Sequence, residues 1–110
     1  MRYNTKEAAT AIVKLQPFTT NGSLSGMIIS GNLAVFSYAE PIACFDPEKK
    51  RVHLNERKYS VTTGRHQTQT RQAAEQLKAQ GWDVDVWDAK QFEEVTGLNT
   101  LNFNPFYSFH

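Results

Sequence analysis

The chain has 110 residues, a formal net charge of +1, 40% hydrophobic residues and 21% charged residues. That length supports one buried core with little room for a second, and the composition is globular and not disordered. No apolar run approaches the roughly 18 residues of a membrane span, no opening segment has a signal-peptide pattern, and the single Cys44 excludes an internal disulfide framework, so a cytoplasmic protein without membrane association is expected.

In chain order, "NTKEAATAIVKLQPF" carries a helix signal. Asn4 and Glu7 fit a capping box, Ala8, Ile12 and Leu15 make a narrow apolar face flanked by Ala9 and Val13, and Pro17 enforces a stop. "TTNGSLSG" is turn chemistry centred on Asn21-Gly22. β-like runs follow: "MIIS", a turn at Gly31-Asn32, "LAVFSYA", and "IACFD" after Pro41. Beyond a loop at Asp46–Lys50 come "RVHLN" and "KYSVTT", with Val52, Leu54, Tyr59 and Val61 inward. "LAVFSYA" and "IACFD" are apolar at both alternations, as in strands covered on two faces. Short separations point to an antiparallel meander.

From Thr63 to Gln80 the period becomes helical. Thr70, Ala73, Ala74 and Leu77 share a face with His66 one turn earlier, and Gly81 ends the segment. "WDVDVWD" alternates as a strand wet on one face, with Asp83 and Asp85 guarding an edge. Asp88 and Gln91 then cap a short helix that buries Phe92 and Val95 and ends at Gly97. The expected fold is α+β: a curved antiparallel sheet of four to six strands packed on one long helix, with short N-terminal and C-terminal helices. Residues 1–110 form a single domain, of which 98–110 are an irregular aromatic tail.

The small net charge conceals segregation. Residues 49–78 hold eight Lys or Arg against Glu56 and Glu75, a surplus of six, whereas the remainder holds four basic and nine acidic residues. Such a segment can steer an anionic partner, or be a solvated surface whose charge the fold cancels. The candidate contacts for an anion or nucleic acid are Lys49, Lys50, Arg51, Arg57, Lys58, Thr63, Arg65, His66, Gln67 and Arg71. Within "KYSVTTGRHQTQTR", Thr62 or Thr63 can cap the helix, which explains the hydroxyls without a ligand. Arg65 near the positive helix end instead favours an anion there. Both readings stay open.

His66 reads as a hydrogen-bonded residue facing the sheet; if open beside Arg65 and Tyr59 it could serve as a general acid or base. No triad is recognisable, no CxxC or HxxxH pair suggests a metal, and no motif calls for a cofactor. In the tail, Phe103, Phe106, Tyr107 and Phe109 have no helical or strand period. They either fold back over the sheet or anchor a protein partner, a second copy of the chain included.

"NGSLSG", "VFSYAEPIACFD" and above all "KYSVTTGRHQTQTR" resemble a family of small uncharacterised proteins encoded by bacteriophages and plasmids. That family shows a similar progression of "NGSL", "YSY..PIA..D" and "YSVTTS.HQ". The likeness spans residues 18–72, with Gly64 where the pattern has Ser. It implies a genetic setting and not a reaction. The functional expectation is a non-enzymatic binding protein of mobile-element origin, in its concrete form an inhibitor of a host defence system of anti-CRISPR or anti-restriction type. A nucleic-acid-binding accessory protein using residues 49–78 is the alternative. A small nuclease or toxin-like enzyme using His66, Arg65 and Tyr59 is the weaker one.

Overall fold

The computed structural model describes the backbone of residues 2–3 together with residues 7–20, 24–58 and 60–99. The sequence expectations for Asn4, Asn21-Gly22, Tyr59 and the tail aromatics Phe103, Phe106, Tyr107 and Phe109 lie outside the described residues.

The first elements are β1 (Arg2–Tyr3), α1 (Ala8–Val13) and β2 (Phe18–Thr20), with β1 and β2 parallel. α1 buries Ala8, Ala11 and Ile12, and the chain leaves it through Leu15 at φ 57°, two residues before Pro17. Thr19-Thr20, expected as the start of a turn, join Phe18 in a strand too short for an alternating pattern to reveal.

A meander follows. β3 (Leu24–Ile29) and β4 (Asn32–Ser37) are joined by Ser30-Gly31, both at positive φ, so the two-residue turn lies one position earlier than the expected Gly31-Asn32. β5 (Glu40–Asp46) returns antiparallel, with a register shift between Val35 and Phe36 that places Pro41 opposite Phe36. An irregularity is where a sheet tolerates a residue without an N–H. β6 (Arg51–Asn55) completes the antiparallel part. As the two-sided apolar pattern requires, β4 and β5 are buried on both faces.

α2 (Val61–Ala79) then carries the chain back, so that β7 (Asp83–Trp87) pairs with β6 in parallel. Among the described residues the sheet has seven strands in simple sequence order, antiparallel in the middle and parallel at both ends. α3 (Ala89–Thr96) closes the described chain, capped by Asp88 and ended by Gly97 at φ 73° as expected. The fold is α+β with one long helix.

Each sheet face has its own core. One unites α1 and α2 with Phe18, Leu24, Leu33, Val35, Phe45, Val52 and Leu54; the other gathers Met27, Ala34, Phe36 and Cys44 beneath Phe92 of α3 and Leu98. α2 buries Thr63, His66, Thr70, Ala73, Ala74 and Leu77, the face that its period marks out.

Three expectations are corrected. "SVTT", expected within a strand, is a helix start: Ser60 is the N-cap, its hydroxyl accepting the Thr63 N–H, and Val61 begins the helix 77% exposed. The cap is therefore Ser60 and not Thr62 or Thr63; local capping prevails over the β-propensity of Val-Thr-Thr. Val86, which the alternation of "WDVDVWD" sets on the face opposite the wet Asp83 and Asp85, is 52% exposed on the terminal strand of the sheet. Val95, expected under α3 with Phe92, is largely exposed, whereas Phe92 is buried.

Gly26 sits opposite Phe18 in the β2–β3 ladder, and a Cβ there would lie 2.4 Å from the Phe18 ring and 3.3 Å from Leu33. Phe18 is fully buried and cannot swing aside. Gly26→Ala should therefore destabilise the fold by about 1–3 kcal/mol in urea denaturation, and adding Phe18→Leu should recover part of that loss.

Candidate functional site

The crowded junction before α2 resolves into a hydroxyl network that runs from the exposed Ser60 to the buried Ser37, Thr63 and His66. Ser60 Oγ accepts the Thr63 N–H (3.1 Å) and donates to Thr63 Oγ1 (3.2 Å). Ser37 Oγ, at the end of β4, contacts Thr63 Oγ1 (3.0 Å) and His66 Nδ1 (2.7 Å). Ser37, Thr63 and His66 are all buried, and the exposed Tyr38 ring is tilted against the imidazole. The hydroxyls thus seat the helix on the sheet. A Ser–His contact of this length is also that of a nucleophile and its base. Here, however, Ser37 is wholly covered and offers no face to a substrate. Arg65 is exposed, turned away from His66 by the roughly 100° that separates successive helical residues.

Burial holds the His66 pKa below its ordinary value. His53 is held down first by burial, against the opposing pull of Asp85, and its Nδ1 accepts the Trp87 indole N–H at 3.1 Å. Both rings favour the neutral form in the fold, so unfolding takes up protons as the pH drops below the unfolded-state value of about 6.5. The histidine contribution is fully present above that value and diminishes as the pH falls towards the folded-state pKa values. The urea midpoint should therefore be lower at pH 5.5 than at pH 7.5, and His66→Gln should remove part of the difference.

The basic segment does not form one surface. Lys49 and Lys50 are exposed in the loop before β6, whereas Arg57 and Lys58 are exposed beyond its other end. Five strand residues separate the two groups by roughly 16 Å. Lys78, in the last turn of α2, belongs to the Lys49–Lys50 end, because the chain reaches β7 there and the Asp83 N–H bonds the Lys50 carbonyl. Arg51 is engaged with Asp85 (2.5 Å) and Asp83 (3.4 Å), which raises its pKa, so those two aspartates neutralise a cation besides marking an edge. Arg65 and Arg71 project from the exposed side of α2. Among the described residues, Lys58, Arg65 and Arg71 take part in no ion pair. Thr63 and His66 face the sheet.

Gln67 is tied to the backbone that precedes α2. Its Nε2 donates to the carbonyls of Asn55 (2.8 Å) and Arg57 (2.9 Å), clamping the β6–α2 connection to the helix. Between those carbonyls, the Glu56 N–H bonds the Trp87 carbonyl at 2.9 Å. The fixed connection forms one wall of an open groove of about 450 Å³ along α2, lined by Glu56, Lys58, Val61, Gly64, Gln67 and Arg71 with the hydroxyls of Ser60 and Thr68. Among the described residues, a Cβ at Gly64 would meet nothing within 4 Å. The groove positions of Glu56 and of Val61, expected inward on a strand, and the Gln67 clamp could not be read from the sequence, since each depends on how β6 meets α2.

A second groove, of about 410 Å³, lies where α3 meets the ends of β5 and β6, with Glu40, Arg57, Lys90 and Glu93 around Phe92 and Leu98. Burial pushes the Cys44 thiol up to about 11, away from a reactive thiolate. Among the described residues, no three His, Cys, Asp or Glu side chains are grouped to share a metal, and no helix is long and apolar enough to cross a membrane.

These features define an α+β protein with a mixed sheet clothed by helices on both faces and a cation-bearing groove beside its longest helix. The chain belongs to a family of unknown function (DUF8033), which residues 4–85 match. The match takes in α1, α2, the junction network and the whole groove, and leaves out α3. No curated protein and no solved structure matches the chain.

Proposed function

We propose that this protein acts by binding, and that its partner is nucleic acid held through phosphate contacts from Lys58, Arg65 and Arg71. The observation that carries the reading is the exposure of these three cations on and just before α2, Lys58 and Arg71 lining the groove and Arg65 exposed on the same helix, all without carboxylate partners among the described residues. Cations placed in this way displace the counterions of a phosphate backbone, a source of affinity that needs no base contact. The reading narrows the basic segment to its α2 end. The sealed Ser37–His66 pair supports a binding role over a catalytic one. Fluorescence anisotropy with labelled 12-nucleotide DNA and RNA tests this: micromolar or tighter binding at 100 mM salt is expected, and its absence for both refutes the reading.

A protein partner is the second reading, favoured by β7, a terminal strand in the sheet with Val86 exposed. A partner strand can extend such an edge. Together with the resemblance to phage and plasmid proteins, this supports a cytoplasmic inhibitor of a host defence complex. Stable co-elution with a purified defence complex, lost when Val86→Asp is introduced, is the expected result; no co-elution with any such complex sinks it.

A further inference from the structure

We infer that the groove beside α2 is a subsite for one unpaired guanine nucleotide, with Glu56 accepting hydrogen bonds from the base. The inference rests on the nucleic-acid reading and goes beyond it, since phosphate contacts alone carry no sequence information. Three chemistries meet in the groove. Lys58 and Arg71 supply positive charge for a phosphate; Val61, 77% exposed and the most exposed large hydrophobic residue among those described, supplies an apolar surface; and Glu56 supplies a carboxylate.

A carboxylate in a groove that bound only phosphate would weaken binding by repulsion. It is useful where the ligand also presents donors. A carboxylate offers two acceptor oxygens side by side, and guanine carries two adjacent donors, N1–H and the N2 amine, on its pairing edge. Adenine and cytosine present an amine beside an acceptor nitrogen there, and thymine a single N–H between two carbonyls. That edge is accessible only in unpaired nucleotides, so the ligand is single-stranded.

Glu56 is suited to such a role by its mounting. Its own N–H is held by the Trp87 carbonyl, and the carbonyls on either side are held by the Gln67 amide, so the backbone that presents the carboxylate is fixed from both directions. Among the described residues, nothing stands within 4 Å of a Cβ placed at Gly64, which leaves room for a ring on that side of the groove. A volume of about 450 Å³ is in the range of small-molecule sites, enough for one nucleotide.

The test compares a dT12 oligonucleotide with the same 12-mer bearing one central guanine, and with one bearing hypoxanthine, which lacks the N2 amine. The full chain should bind the guanine oligonucleotide about 5–10-fold tighter than dT12, with most of that preference lost for hypoxanthine. Glu56→Gln, an exposed substitution that leaves the backbone hydrogen bond intact, should reduce the preference to within twofold while binding dT12 at least as tightly as before. Equal binding of dT12 and the guanine oligonucleotide by the unaltered chain overturns the subsite while leaving phosphate binding in place. A guanine preference that survives Glu56→Gln overturns the role of Glu56. Failure to bind any of the three overturns the nucleic-acid reading as well.

Discussion

Phe45→Ala should lower stability by about 3–5 kcal/mol, a large part of the roughly 5–15 kcal/mol that holds a domain of this size. Phe45 is fully buried in β5, opposite Leu33 on β4 and Val52 on β6. It belongs to the core in which the α1 and α2 faces meet the sheet, so its loss empties a volume that backbone on both sides prevents from collapsing. A fall of about 2 M in the urea midpoint is expected at the usual slopes. Phe36→Ala, on the opposite face, should cost less, because Ile29 and Trp87 border that smaller cluster only half-buried and can move inward. A cost below about 1 kcal/mol at Phe45 would mean that the α1–α2 layer is not the main source of stability.

Replacing Lys58, Arg65 and Arg71 together by Glu should weaken single-stranded oligonucleotide binding by at least about 100-fold at 100 mM salt, since each lost phosphate contact is replaced by a repulsion. All three are exposed and in no ion pair, so the fold should be little affected. The same reversal at Lys49, Lys50 and Lys78, at the far end of β6, should have a several-fold effect at most. Equal losses from the two triple variants would show a diffuse charge effect and not a located surface.

Much of this architecture is legible in the residues. The inward face of α2 follows from the spacing of His66, Thr70, Ala73, Ala74 and Leu77, and two-sided burial of β4 and β5 follows from their unbroken apolar runs. Asp88 and Gly97 mark the ends of α3 by capping chemistry alone. What escaped has physical causes. Val61-Thr62-Thr63 suits a strand as well as a helix start, and only the Ser60 hydroxyl on the Thr63 N–H decides between them. Ser37 meets His66 across 29 residues, a contact no local pattern encodes. The cations share a segment but not a surface, because the length of β6 and the return of α2 send them to two ends. The parallel pairing of β7 was equally hidden, since it depends on where a 19-residue helix delivers the chain.

The account stands most directly on the salt dependence of single-stranded DNA binding by the unaltered chain, followed by anisotropy between 50 and 300 mM salt. Three phosphate contacts, from Lys58, Arg65 and Arg71, should give a log–log slope of about −2. No binding at 50 mM salt, or an affinity that does not change with salt, would contradict it.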